Sequence, residues 1–417
     1  MPLSLVPFLA QVFTAEVGDR AEVRVINQTT DERMELENRA FASVGFQLPI
    51  AAARLTYSPS LLLTPVEKEP RDLTLTHTIN ASVDTGGPIY RTRRTLVGVH
   101  AGATYTQTNV QRQAFGAPAT TQLAPAAPAE PAQPAEPTDP GIEPTEPTPA
   151  DGNGNDANAV RALGLTTRVA SARADIALGE RLSRRSTLNA YAGYTVSSGV
   201  DDATRELFPL LHGPIVGSQF LHAASRRDTL ITQVDGQLSI VHENGALAAL
   251  ATATQGLSHQ FSRQTSGDVS LGVSYTHVDE PELEPVSGFF PTGRVGLTHE
   301  STFARGRASY RLEAAYEPVL DRSTIVFDPR IRLSARAGWT RDRLTLYSTL
   351  NGVLTTQPGE EGALNSIGAE AGAAYDLGAG FSVDGGARAA WQSFQGVDLI
   401  APGWALFAGL SWNYQLF

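Results

Sequence analysis

The sequence predicts an all-β chain: a transmembrane antiparallel up-and-down β-barrel of about 18 strands. Three observations carry that prediction. From about residue 20 onward, apolar residues recur at every second position, the period of a strand. Many alternating runs extend over about 11–16 residues, against about 5–6 for a globular strand and about 9–11 for a tilted strand crossing a bilayer. The face opposite the apolar one is strongly polar, which suits lipid outside and water inside.

Composition excludes the competing classes. The chain has 417 residues, of which 41% are hydrophobic and 18% charged. That is too uncharged for a typical soluble surface and too apolar for disorder. No apolar run approaches 18 residues, which rules out a helical bundle in the membrane. Cysteine is absent, which removes disulfides, Cys-ligated metals and thiol catalysis. The net charge is -11, and residues 113–158 hold seven acids with no Lys or Arg, so the other residues net only -4. Nothing in this balance points to nucleic acid.

Residues 1–15, MPLSLVPFLAQVFTA, read as the end of a secretory leader, an apolar stretch followed by small residues. A single barrel over 20–417 follows, opening with a strand at 20–29. In 71–84, Leu73, Leu75, Ile79, Ala81 and Val83 oppose Thr74, Thr76, Thr78, Asn80 and Ser82. In 268–278, Val269, Leu271, Val273 and Tyr275 oppose Ser270, Gly272, Ser274 and Thr276. In 324–339, Ile325, Phe327, Ile331, Leu333, Ala335, Ala337 and Trp339 oppose Asp328, Arg330, Arg332, Ser334, Arg336 and Gly338.

The links between strands alternate in length. Short ones fall at 49–51, 84–87, 180–184, 226–228, 263–267, 300–303, 340–342 and 378–380. Longer ones fall at 30–38, 65–70, 108–160, 199–214, 279–291, 318–322, 358–363 and 395–403. Barrels of the outer membrane alternate short periplasmic turns with longer outer loops in this way. The exception, 242–245, is a short Asn-Gly turn on the outer side. Parity then requires strands at 20–29 and 215–225, which gives 18; without those two the count is 16. Residues 113–158, with ten prolines, form a disordered Pro/Ala/Glu-rich outer loop within the barrel.

Residues 404–417 read WALFAGLSWNYQLF, with Ala408, Leu410, Trp412, Tyr414 and Leu416 alternating and Phe417 last. This resembles the C-terminal strand of bacterial outer-membrane β-barrels. The resemblance implies residence in the outer membrane, contact with its lipid, and recognition by the barrel-assembly machinery through the strand ending in Phe417. Phe417 stands one step out of phase with the apolar face, because position 415 is Gln. Tyr57, Tyr105, Tyr194, Tyr275, Tyr316, Tyr375, Trp339 and Trp391 fall on apolar faces and suit interfacial girdles.

A barrel this wide leaves an aqueous lumen unless something fills it. The expected pore-lining residues are Arg294, Arg305, Arg307, Arg311, Glu313, Asp328, Arg330, Arg332, Arg336, Glu370, Asp384 and Arg388, with Asp376 beside them. An arginine-rich wall could hold anionic or hydroxyl-rich solute through forked hydrogen bonds; alternatively these charges pair with each other. The eight histidines show no metal-ligand spacing, and no catalytic residue, metal or cofactor is expected. With no plug or periplasmic domain legible, the expected function is a stand-alone, porin-like channel. It serves either as a passive pore or as the outer-membrane exit of an export system, with polysaccharide the favoured cargo and periplasmic export components as partners. The competing reading is a structural barrel that anchors an envelope or surface complex.

Because 113–158 joins two strands of one barrel, its deletion leaves the strand count unchanged. The shortened chain is expected to keep the heat-modifiable gel migration of a folded barrel. Migration as an unfolded chain without heating sinks that assignment.

Overall fold

The computed structural model describes residues 13–28, 31–47, 51–64, 72–84, 90–91, 94–109, 166–281, 283–321, 325–355, 364–394 and 397–415. Among these, eighteen long strands form one closed antiparallel sheet. They are β1 (Phe13–Gln28), β2 (Asp31–Gln47), β3 (Ala52–Thr64), β4 (Asp72–Asp84), β5 (Thr95–Asn109) and β6 (Thr166–Arg181). Then come β7 (Ser186–Gly199), β8 (Leu211–Ala223), β9 (Asp228–Val241), β10 (Leu247–Gln260), β11 (Thr265–Asp279) and β12 (Val286–Phe303). The last are β13 (Gly306–Asp321), β14 (Val326–Arg341), β15 (Leu344–Thr355), β16 (Leu364–Gly378), β17 (Phe381–Phe394) and β18 (Val397–Gln415). A two-residue strand, Tyr90–Arg91, pairs with β5 alone.

Each long strand pairs with its sequence neighbours, and β1 closes the sheet by pairing with β18, from Glu16↔Gln415 to Gln28↔Gly403. In lipid no water satisfies an exposed strand edge, so this closure is obligatory. Alternation then sorts the side chains. Leu271 and Phe289 are 70% and 73% exposed on the outer face, a surface stable against acyl chains and not against water. No described helix is long and apolar enough to cross a membrane.

Several sequence expectations change here. The link expected at 30–38 is absent: β2 starts at Asp31 and pairs with β1 along its whole length. The link expected at 395–403 shortens to 395–396, because β18 starts at Val397. The strand at 215–225 is longer than the pattern indicated, and pairs in register with both neighbours as β8. β1 begins at Phe13, not at about 20, and so starts inside the segment read as a leader. Residues 1–12, the loop 113–158 and the terminal Phe417 lie outside the described residues.

The short turns share a device. In Ser183-Arg184-Arg185, Ser225-Arg226-Arg227 and Ser262-Arg263-Gln264, the serine Oγ accepts from the backbone N–H two residues on, at 3.1, 3.0 and 3.1 Å. This side-chain turn presents an arginine at the same position each time. At the opposite end, 242–245 is the expected turn: Gly245 has φ +73° and its N–H donates to the Val241 carbonyl at 2.9 Å. Between β7 and β8 lies a short helix, α1 (Asp202–Leu207). Asp201 caps it, accepting from the Thr204 N–H at 2.9 Å, and this hydrogen bond holds the Asp201 carboxyl below the usual range.

The wall is split at one place near the loop end. β12 pairs with β11 from Val286 but with β13 only from Gly293, opposite Tyr316. β14 pairs with β13 from Val326 but with β15 only from Arg330, opposite Thr355. Residues 317–321 and 326–329 therefore form a hairpin tip with no strand-ladder partner on β12 or β15 among the described residues. Pro318 and Pro329 stand opposite each other in it, and neither has an N–H to offer a further strand. From this tip Ile325 and Phe327 enter a buried apolar cluster with Leu211, Val241, Ala246 and Ala248 of the β8–β10 region. Side-chain burial against β8–β10 thus helps to hold the tip.

Replacing Phe327 with Ala removes a buried aromatic worth about 3–5 kcal/mol. Amide hydrogens of 317–321 and 326–329 are expected to exchange at least about a hundredfold faster, with the β1–β18 ladder unchanged. Equal protection in both proteins disproves the anchoring.

Candidate functional site: the inner wall of the barrel

Strand register fixes which side chains face the lumen. On β1, Ala21, Val23 and Val25 face lipid, so Arg20, Glu22, Arg24 and Ile26 face inward. Directly opposite residues of neighbouring strands share a face, which carries the assignment around the barrel. Of the predicted wall residues, Arg294, Arg307, Arg311, Glu313, Arg332, Arg336, Glu370, Asp384 and Arg388 all fall in inward register. Asp328 and Arg330 are buried at the hairpin tip and its base, as a pair at 3.3 Å. Arg305 lies in the turn between β12 and β13, and so is not a wall residue. Asp376 lies next to a turn and accepts from the Gly378 N–H at 2.7 Å.

The predicted residues do not form a single wall. Glu370, Asp384 and Arg388 belong to a buried cluster at the closing seam, completed by residues of β1 and β2. Arg388 grips both carboxylate oxygens of Glu22, at 2.5 and 3.2 Å, and its Nε reaches Glu370 at 3.2 Å. Arg24 binds Glu35 at 2.7 Å and Glu37 at 2.8 Å. Arg20 bridges Glu22 at 2.9 Å and Asp384 at 2.6 Å, and Arg39 adds a bond to Glu37 at 2.8 Å. Arg24 and Glu35 are each 1% exposed and Arg388 is 4% exposed.

This cluster ties β1 and β2 to β16 and β17 over the top of β18, which lies between them. The inward residues of β18 make room. Ala405 is fully buried, and a Cβ on Gly409 would meet Asp384 Oδ1 at 2.9 Å. The Arg388 guanidinium lies 3.8 Å from the centre of the Phe407 ring, which covers it as a cation–π partner. Sequence reasoning missed the β1–β2 half of the cluster. Its signal was legible in Glu22-Val-Arg24-Val and Glu35-Leu-Glu37-Asn-Arg39, charges at every second position.

A second group, on β11–β14, is open to the lumen. Arg294 pairs with Glu313 at 3.0 Å and Arg311 reaches the same carboxylate at 3.2 Å. Arg307 pairs with Glu300 at 2.7 Å, and Arg332 pairs with Glu317. Asp268 stands 3.9 Å from Arg294. The arginines are therefore matched by carboxylates on adjacent strands, three of which (Asp268, Glu300, Glu317) sequence reasoning left out. Arg336 is exposed and has no ion pair among the described residues. A third group, on β6, β7 and β9, joins Arg173 to Asp175 at 2.8 Å and Tyr191 to Asp235 at 3.0 Å.

Between these groups the wall is mostly hydroxyl and amide. Thr56, Ser58 and Ser60 on β3 face Thr76, Thr78, Asn80 and Ser82 on β4, and Thr252 and Thr254 on β10 adjoin Ser270 and Ser274 on β11. A family model matches this chain over residues 116–415, 300 of the 417. The chain belongs to the EpsX exopolysaccharide export family. The matched span takes in β6–β18 and stops short of β1–β5. With the closed barrel and its apolar outer belt, membership makes the chain a multi-pass β-barrel of the outer membrane, in a family of exporters and not of enzymes.

No curated protein matches the chain. Among solved structures it is similar to OccAB2 of Acinetobacter baumannii, at 9% identity and TM-score 0.44, over 97% of this chain and 98% of that one. It is similar to OpdO of Pseudomonas aeruginosa at 10% identity and TM-score 0.43, over 98% of each chain. It is also similar to the outer membrane protein opdK of Pseudomonas aeruginosa at 9% identity and TM-score 0.44, over 97% and 99%. These likenesses carry no inference about what the chain transports.

Arg388→Met leaves Glu370 buried without its arginine and Glu22 with Arg20 and Arg24 alone, and is expected to cost about 3–5 kcal/mol in urea unfolding. Arg311→Met, half-exposed, is expected to cost less than about 1 kcal/mol. Equal losses rule out the seam cluster as the staple.

Proposed function

We propose that this barrel is the outer-membrane exit of an exopolysaccharide export system, with the polymer passing through its lumen. The observation that carries the reading is the family match over β6–β18, which holds the matched charges of β11–β14 and part of the hydroxyl wall, on β10 and β11. A moving polymer needs contacts that form and release. Hydroxyl and amide groups offer many weak hydrogen bonds to sugar hydroxyls, and ion pairs that neutralise each other avoid a trap for charge.

In this reading Arg294, Arg307, Arg311, Glu313, Arg332 and Arg336 contact the passing chain. Glu370, Asp384 and Arg388 hold the seam instead. The barrel carries out no catalysis of its own. Separate periplasmic export components deliver the polymer to the turn end. The barrel-assembly machinery inserts the protein by reading its C-terminal strand, ending in Phe417.

The decisive measurement has two parts. In a planar bilayer the purified barrel is expected to give a steady conductance that soluble oligosaccharides of the exported polymer reduce. In the producing cell, loss of the chain is expected to leave polymer inside the outer membrane and none on the surface. Surface polymer at the normal level without the chain overturns the proposal. Conductance that oligosaccharides leave unchanged, together with normal export, returns the barrel to a general pore.

A further inference from the structure

The two ends of the barrel carry opposite charge. Among the described residues, the links at the turn end hold eight arginines and one carboxylate, Asp342. The described links at the loop end hold Asp201, Asp202, Glu243, Glu280 and Glu284 against one cation, Arg205. The three Ser-Arg turns place Arg184, Arg226 and Arg263 in one repeated conformation along the turn end. Turns of this short kind lie on the periplasmic side of an outer-membrane barrel.

One stretch of this basic rim has a cavity. It measures about 540 Å³ and is lined by Phe303, Ala304, Arg305, Trp339 and Arg341. Register places it on the outside of the barrel. Trp339 stands opposite Ala308 and Leu346, and Leu346 is exposed on the lipid face. Arg341 is two residues further along the same face. Phe303 ends the outward row that includes Val295 and Leu297, and its ring stacks on Trp339 at 6.4 Å with 20° between the planes. Arg305 has no ion pair among the described residues, and Arg341 has Asp342 no nearer than 4.0 Å. Two exposed guanidinium groups thus stand beside two stacked aromatic rings, at the level where acyl chains give way to headgroups.

We propose that this cavity binds an anionic phospholipid of the periplasmic leaflet. Arg305 and Arg341 hold the headgroup phosphate, and the glycerol and upper acyl chains lie on Phe303 and Trp339. The mixed lining selects this ligand. A free phosphate gains nothing from the rings. A periplasmic protein docking on the turn tips does not reach Trp339, which stands above them on the lipid face. An amphiphile with a charged head satisfies both halves, and each arginine near an anionic surface contributes about fivefold in binding. The bound lipid fixes the height of the β12–β15 segment in the leaflet. This does not depend on what the lumen transports.

The test uses the full-length barrel in phosphatidylcholine nanodiscs carrying a small fraction of phosphatidylglycerol, with retained lipid counted by native mass spectrometry. The wild-type protein is expected to retain phosphatidylglycerol over phosphatidylcholine by about twenty-fivefold, two arginines at about fivefold each. Arg305→Gln with Arg341→Gln is expected to abolish that preference, and Trp339→Leu to weaken retention of both lipids. Heat-modifiable migration confirms that each variant is folded. Arg226→Gln with Arg263→Gln, on the same rim but away from the cavity, is expected to keep the preference. Equal retention by the wild-type and Arg305/Arg341 variants overturns the proposal. So does displacement of the lipid by inorganic phosphate or glycerol phosphate at matched concentration, which makes this a free-anion site. Loss of a periplasmic protein from the double variant, with lipid retention unchanged, assigns the arginines to a protein partner instead.

Discussion

In lipid a sheet can have no edge, and this constraint organises the whole barrel. Every backbone N–H and C=O within the hydrocarbon needs a partner, so β1 must find β18. Hydrogen bonds alone join those strands no better than any other pair. The seam differs in having a buried charge cluster laid over it, from Glu35 and Glu37 on β2, through Glu22 and Arg24 on β1, to Arg388 and Glu370 on β17 and β16. The small inward residues of β18, Ala405 and Gly409, let those side chains meet across the intervening strand. A buried ion pair is weak evidence for net stability, because desolvation offsets much of the attraction. Its value lies in specificity: any other strand in the position of β1 would take Glu22 from Arg388 and leave it buried with Glu370 alone.

The same alternation that closes the barrel divides its chemistry. Outward positions hold the apolar belt, and inward positions hold everything that a polymer can touch. Along the inner wall, most described charge is buried at the seam, matched across β11–β14 or grouped on β6, β7 and β9, while hydroxyl and amide groups fill much of the space between. In the proposed role, such a wall suits passage better than retention. Strong sites would slow passage, whereas a wall of interchangeable weak partners lets each residue of polymer exchange one hydrogen bond for the next.

Most of this architecture was legible in the sequence because period-two alternation needs no tertiary information. Val269, Leu271, Val273 and Tyr275 face lipid as the pattern required, and the turn parity led to the same count of strands. The errors have physical causes. Residues 30–38 are rich in charge and read as a loop, yet Glu35 and Glu37 are charged because they face Arg24 across a strand pair. The run of arginines on 304–339 read as one basic wall. Single strands do not show their cross-strand partners, and Glu300 and Glu317 neutralise Arg307 and Arg332. The hairpin tip was invisible for a different reason. Phe327 keeps the alternation of its strand, and what differs is the cluster it enters with β8–β10, which a single strand does not show.

The boundary of the family match sharpens the division of roles. Glu370, Asp384 and Arg388 lie inside the matched span, but Glu22, Arg24 and Glu35 lie outside it. The seam therefore joins a part of the chain that matches the family to a part that does not. The two halves have to be complementary whatever polymer is exported, because an unmatched charge there costs folding and not transport. Charges on β11–β14 are under no such demand. Arg294, Arg311 and Arg332 are part-exposed and paired in high dielectric, and Arg336 is exposed without an ion pair among the described residues, so each is cheap to change. Adaptation to a particular polysaccharide is thus physically open at Arg294, Arg311, Arg332 and Arg336 and closed at Arg388, although all five faced the same lumen in the sequence pattern.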